Sequence, residues 1–505
     1  MSTHSFTLYE MFKRNARLHR DNMAIVSEGQ QITFGKLFDQ VNRTAAGLSA
    51  QGIGKGERIA FLSKNCSEFF LLMGAAAALG AIVVPINFRL VKHEIGQILT
   101  NTEPVMLFFG EEFAQIVPEL SALCPSLKSL VTFRGSGEHF LSFDSLLDNE
   151  PVKAVPSGGG DPFVIIHTAA VEGKPHGAVL THHNLTTGNI QAAAVIGLTS
   201  NDAYLSILPL FHVAGLCLAL SVMHVGGKNV VISKFDPATA VKLIDREKVT
   251  LMGSFPPILA QMLDERSKGE GRLSSLKHVL GLDSSDTIER YESTTHGHFW
   301  LAYGQSETTA VTCLCRNRER PGSDGKPAPL VDLMIADEFD QEVVVGEVGE
   351  ILVRGPLVFQ GYWNEKTLTE HTLRGGWHHT GDLGRVDDEG YLWFVGRKAE
   401  KELIKSGGEN VYPAEVEKTI LLHPGVKEAV VIGVADSEFG ETIKAICVLR
   451  TDCILSEKEL IDFVGKRIAR YKKPKYAVFV ESLPRTKEGL IDRAQVKAKY
   501  SSYTA

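Results

Sequence analysis

The sequence predicts a two-part α/β protein: a large N-terminal portion on mostly parallel sheets, then a small α+β domain. Three observations carry this reading. At 505 residues the chain is too long for one ordinary core. Up to about residue 400, helix-like and strand-like segments alternate, the pattern that lays helices over a parallel sheet. Near residue 400 the texture changes, and after "FVGRKAEKELIKSGGENVYP" a shorter run carries its own helices and strands.

The elements follow from local chemistry. Phe69 to Ile86, "FFLLMGAAAALGAIVVPI", is apolar and long enough to span a bilayer. Its alanines, its glycines and the β-branched run before Pro85 favour a buried helix followed by a buried strand, so no transmembrane segment is expected. "VPSGGGDP", Val155 to Pro162, is a flexible break. Further on, Asp236 caps a helix whose first turn accommodates Pro237, and "VTLMGS" reads as a short buried strand. In the small domain a helix starts at Pro413, "EAVVIGVA" and "TIKAICVLR" are strands, and Ser456 with Glu459 forms a capping box.

Composition narrows the function classes. With 44% hydrophobic and 22% charged residues the chain has the make-up of a soluble globular protein. A net charge of −7 gives no reason to expect nucleic acid or an anionic membrane as partner. Seven cysteines without a CxxC pair suit buried thiols in a reducing compartment, and the N-terminus lacks a signal-peptide core, so a cytoplasmic location is expected.

Three motifs carry chemistry. "YGQSET", Tyr303 to Thr308, sets an aromatic face, a hydroxyl and a carboxylate close together. Those groups suit an adenine, a phosphate oxygen and Mg²⁺ respectively. In "WHHTGDLGRVDDEGYLWFVGRK", Asp382 can accept hydrogen bonds from two ribose hydroxyls, and Arg397 can add a charge-assisted bond. "KSGGENVYPAEVE" supplies a Gly-Gly backbone that a ligand can approach closely.

Taken in order, these motifs resemble the adenylate-forming superfamily of acyl-CoA synthetases, peptide-synthetase adenylation domains and luciferases. The resemblance runs from "ITFGKLFDQVNRTAAGLSAQGIGKGERIAFLSKN" to "LPRTKEGLIDR". It implies a multi-subdomain N-terminal adenylating domain over residues 1–400 and a mobile α+β lid over 401–505. It also implies two half-reactions: a carboxylic acid and Mg·ATP give an acyl-adenylate, and a thiol, usually coenzyme A, then displaces AMP. By motif, Tyr303 stacks on adenine, Ser306 contacts phosphate, Glu307 binds Mg²⁺, and Asp382 with Arg397 holds the ribose. Gly281, Gly304 and Gln305 are counted beside the nucleotide. His212, in "LPLFH", is expected to gate the acyl pocket, against the plainer reading of a satisfied histidine at a strand end. Ser406, Gly407 and Gly408 are expected to line the pantetheine tunnel.

The lid hinge depends on spacing, because the run from Arg397 to the proline of "YPAE" is two residues longer than the family's. Matching "KELIK" makes Lys401 the hinge; counting forward from Arg397 gives Ala399. The basic stretch "GKRIARYKKPK" has two readings: a solvated helix end, or a dock for the coenzyme's phosphates.

The chain also departs from the pattern. "HTAAVEGKPHGAV" stands where a loop rich in Ser, Thr and Gly wraps the ATP phosphates. Thr168, Gly173, Pro175 and Gly177 remain. Ala169, Ala170, Val171 and Glu172 replace most hydroxyl and glycine positions, and His176 replaces a lysine; Lys174 is expected to restore some charge. Near the C-terminus the family's adenylation lysine is replaced by Leu490, with Lys487 three residues away. Gly396 stands where an aspartate is common.

The expected activity is therefore an AMP-forming acid–CoA ligase with a handicapped first step. The alternatives are an adenylating enzyme that loads a carrier protein and a non-catalytic nucleotide- or acyl-CoA-binding protein. Phe211, Val213 and Gly215 suggest an apolar acyl or aryl acid, without naming it, and the oligomeric state is open.

Overall fold

The computed structural model describes residues 6–134, 140–151, 154–155, 157–171, 174–269, 271–398, 402–451, 453–486 and 491–502. Two large sheets form the N-terminal part. A nine-stranded sheet runs Lys326–Pro327, Cys313–Arg316, His298–Tyr303, His278–Gly281, Leu251–Ser254, Ala203–Ser206, Lys228–Val231, Met23–Ser27, Gln30–Thr33, and its six central strands, from His298–Tyr303 to Met23–Ser27, are parallel. An eight-stranded sheet runs Gly361–Tyr362, Lys174–Thr181, Pro162–Val171, Ile82–Pro85, Arg58–Leu62, Met106–Phe109, Ser129–Thr132, Leu141–Ser142. From Pro162–Val171 onward it is parallel, as helix–strand alternation requires.

The ambiguous apolar stretch resolves as helix plus strand. Ser67–Leu79 is helical and buried at every position, and Ile82–Pro85 is a buried strand beside it. Gly80 ends the helix with φ +69°, a conformation that costs glycine little. Among the described residues no helix is long and apolar enough to cross a membrane. One continuous core packs the inner faces of both sheets, and a smaller one fills the outer face of the eight-stranded sheet.

An antiparallel sheet of Asp332–Ala336, Gly349–Arg354, His378–Val386 and Leu392–Arg397 follows, with a small core of its own. Beyond it lies a five-stranded sheet centred on the long hairpin Val426–Asp436 and Gly440–Leu449, and it too has separate cores. The helices Pro413–Ile420 and Glu457–Gly465 cover it, and Ser456 and Glu459 make the reciprocal capping bonds that the sequence suggests. The chain is thus a large N-terminal α/β part and a small C-terminal α+β domain. The expected boundary, with both hinge candidates, Lys401 and Ala399, falls on residues 399–401, outside the described residues.

Candidate active site

The parallel strands of the nine-stranded sheet end at Ser206, Ser254, Gly281 and Tyr303, and the main cleft opens beyond those carboxyl ends. Its volume is about 1110 Å³. Thr168, His176, His212, Gly281, Glu307 and Gly408 all border it, so residues from five stretches of chain meet there.

At one end, the turn Thr380–Gly381–Asp382 presents Asp382, only 1% exposed. Gly381 turns with φ +70°, and its N–H donates to Glu350 Oε1 at 2.8 Å. Asp382 accepts from Arg397 Nε at 2.7 Å, from Gln305 Nε2 at 2.6 Å and from the Tyr303 hydroxyl at 2.8 Å. A carboxylate has about four acceptor positions, so these three donors leave room for one further hydroxyl rather than two. Tyr303 is buried and packs into the small core with Cys313 and Ile351. Burial and the neighbouring Asp382 raise its phenol well above the ordinary value. Gly304, Gln305 and Ser306 do border the cleft. Gly281 and Gly304 are close-approach positions, since a Cβ there would stand 1.9 Å from Ser254 O and Ala310 O respectively.

Glu307 lies on the single turn Ser306–Thr308 and is buried, yet it faces the cleft. Its Oε1 accepts from the Tyr362 hydroxyl at 2.8 Å, while Oε2 has no hydrogen bond among the described residues. A buried carboxylate with one free oxygen facing the cleft fits Mg²⁺. A second group, Asp340, Glu350 and His379, also clusters acceptor atoms. There Lys398 and Arg374 already supply the positive charge, at 2.8 Å from Glu350 and 2.9 Å from Asp340.

The segment expected to face phosphate is a hairpin, Pro162–Val171 against Lys174–Thr181, irregular between Thr168 and Val171. Thr168 Oγ1 donates to His176 O at 3.3 Å. His176 Nδ1 lies 2.6 Å from Glu365 Oε1. Glu172 and Gly173 are outside the described residues, as are Lys487 and Leu490, and the side chain of Lys174 is outside them too.

At the other end His212 precedes the helix Val213–His224. Burial, aided by Arg89, lowers its imidazole to about 3, so the ring is neutral at neutral pH. Apolar Ile207, Leu218, Ile232 and Leu280 share the cleft with the small Gly188 and Ala192. Gly215 lets the chain fold tightly, since a Cβ there would meet Pro209 O at 2.3 Å.

The C-terminal domain closes this end. Gly407 and Gly408, with φ +57° and +83°, turn between the strands Ile404–Ser406 and Glu409–Val411, and Ser406 borders the cleft with them. A Cβ on Gly408 would stand 2.9 Å from Phe255, so only glycine allows the approach without displacing that ring. Glu409 pairs with Arg89, and its Oε2 lies 3.2 Å from His212 Nε2. The basic stretch divides. Arg467 lies over the Phe463 ring, Lys475 pairs with Asp436, and Arg470 and Lys473 border the cleft. Lys472 is buried between Glu94 of the body and Glu415 of the small domain, a role neither sequence reading contains. Sequence reasoning missed Arg89 and Glu409, which border the cleft, Glu365, which contacts His176, and Lys472, which joins the two parts.

A family model described as AMP-binding enzyme matches residues 12–363, and one described as AMP-binding enzyme C-terminal domain matches residues 415–490. The chain belongs to the AMP-binding enzyme family. It is 34% identical to an indoleacetate–CoA ligase of Aromatoleum aromaticum over 97% of both chains. It is also 34% identical to a feruloyl-CoA synthase of Amycolatopsis sp, over 96% of this chain and 98% of that one. Among solved structures, a double mutant of o-succinylbenzoate CoA synthetase from Bacillus subtilis, bound with its product analogue, superposes with a TM-score of 0.86. That match is at 29% identity and covers 97% of this chain and 98% of that one. The same synthetase in complex with AMP gives 0.70 at 29% identity, over 96% and 98%.

Proposed function

We propose that this protein is an ATP-dependent, AMP-forming carboxylic acid–CoA ligase that works through an acyl-adenylate. The observation that carries the reading is one shared cleft. It joins the Asp382–Arg397 pair, a metal-competent Glu307, an apolar pocket beside His212 and the Gly407–Gly408 turn of the small domain.

In the first half-reaction an acid's carboxylate oxygen attacks the α-phosphorus of ATP, and pyrophosphate leaves. Asp382 and Arg397 hold the ribose, and Ser306, Thr168 and His176 face the phosphates. Glu307 would hold Mg²⁺, which when bound neutralises phosphate charge. In the second, the thiol sulfur of coenzyme A attacks the acyl carbonyl, and AMP departs. The Gly407–Gly408 turn admits the pantetheine arm, with His212 at the acyl end. The boundary lies at 400/401 with Lys401 as hinge, and the likeness to the product-analogue complex supports the thioester-forming orientation for the lid seen here. The relatives named for indoleacetate and ferulate support an apolar aryl acid as substrate class.

The test is AMP and thioester formation from ATP, coenzyme A and a panel of aryl and aliphatic acids. AMP in step with thioester is expected. Nucleotide binding without AMP release for any acid would leave the non-catalytic alternative, and transfer only to a carrier thiol would leave the other.

A further inference from the structure

His176, which stands where the family has a lysine, is held by a carboxylate. Glu365 Oε1 lies 2.6 Å from its Nδ1, and the two side chains are 29% and 15% exposed. Glu365 immediately precedes the short helix Lys366–Thr372, a place where a side chain usually accepts from the helix's own N–H groups. It makes no such cap; its carboxylate crosses to the imidazole instead.

Backbone pairing sets that distance. Gly361 and Tyr362 pair with Val179 and Ala178, and Trp363 N–H donates to Gly177 O at 2.8 Å. The segment that delivers Glu365 is thus stitched to the strand that carries His176. The same segment supplies Tyr362, whose hydroxyl bonds Glu307 and whose ring centroid is 5.6 Å from that of His176. The proposed metal carboxylate and the imidazole are therefore built on one frame.

With Nδ1 engaged, Nε2 is the remaining polar atom of the ring. It has no partner among the described residues, and His176 borders the cleft. An imidazole that donates to a carboxylate through Nδ1 and to a phosphate through Nε2 carries both protons and one positive charge. That restores the charge of the missing lysine, in a rigid ring that must be aimed.

We propose that Glu365 is a positioning residue: it holds the His176 ring so that Nε2–H donates to the β- or γ-phosphate of ATP. The proposal rests on the nucleotide site of the preceding subsection.

Calorimetry on the full chain with ATP and with AMP tests it, because AMP lacks the phosphates in question. Glu365→Gln is expected to weaken ATP about tenfold, the worth of one charge-assisted bond, and to leave AMP unchanged. Adding His176→Lys to Glu365→Gln is expected to restore ATP affinity, since a flexible ammonium needs no carboxylate to aim it. Equal loss for ATP and AMP, no loss for either, or failure of lysine to restore ATP would overturn the proposal. ATP–pyrophosphate exchange on the same proteins separates the two readings. No exchange by the parent with any acid would sink the ligase assignment, while the contrast between ATP and AMP would still decide the role of Glu365.

Discussion

Glu350 does not border the cleft, yet it sets the group that does. Its Oε1 holds the Gly381 N–H of the turn that presents Asp382, and its Oε2 faces Lys398 at 2.8 Å and His379 at 3.2 Å. Burial pushes its carboxyl up, but His379, Lys398 and the Gly381 N–H outweigh that and bring it to about 2. An unfolded glutamate titrates near about 4.3, so the interaction stabilises the fold above that pH and is lost as pH falls toward about 2. Glu350→Gln is expected to lower stability at neutral pH by about 1.5–3 kcal/mol in urea unfolding. The variant should also lack that part of the parent's acid sensitivity. Asp382→Asn keeps the side-chain volume but turns an amide toward the Arg397 donors. ATP affinity should fall at least about tenfold by calorimetry; equal affinity would remove Asp382 from the ribose role. Asp382, Arg397 and Glu307 were legible as candidates because each sits inside a short distinctive motif. Glu365, Glu409 and Lys472 were not, since their partners lie 189, 197 and 378 positions away and only folding joins them.

At the scale of elements, regular local signals were legible and lid–body contacts were not. The cap at Asp236, the buried helix Ser67–Leu79 and the capping box at Ser456 are each decided within a few residues, and each stands where the sequence suggests. The basic stretch Gly465 to Lys475 needed the other domain. Lys472, 4% exposed, bridges the body helix Lys92–Thr102 to the helix Pro413–Ile420 of the small domain, through Glu94 and Glu415. A buried ammonium without its carboxylates is costly, so this contact ties the lid to the present orientation. Lys472→Met leaves two carboxylates facing each other and should release the lid. Small-angle scattering should then report a changed profile, and thioester formation from supplied acyl-adenylate should slow more than ATP–pyrophosphate exchange does. An unaltered profile with unaltered kinetics would show that the other contacts hold the lid by themselves.

For the whole molecule, the decisive question is how the two half-reactions share one cleft when the phosphate grip is altered. Two family lysines are missing: one is His176, paired with Glu365, and the other is Leu490. The resemblance implies that both lysines act on the phosphates of ATP, so on that reading their loss bears on adenylation and not on attack by the thiol. Removing one donor aimed at developing charge costs about 10²–10³ in rate. On the proposal above, Glu365 and His176 offset one loss, while Leu490 carries no charge to offset the other. Chemically made acyl-adenylate plus coenzyme A should therefore give product faster than ATP plus free acid. Leu490→Lys should accelerate the ATP-dependent route and leave the bypassed route nearly unchanged. The opposite pattern is equally readable: if Leu490→Lys changes nothing while Lys174→Ala abolishes adenylation, then Lys174 already supplies the second charge, and the first half-reaction is not handicapped.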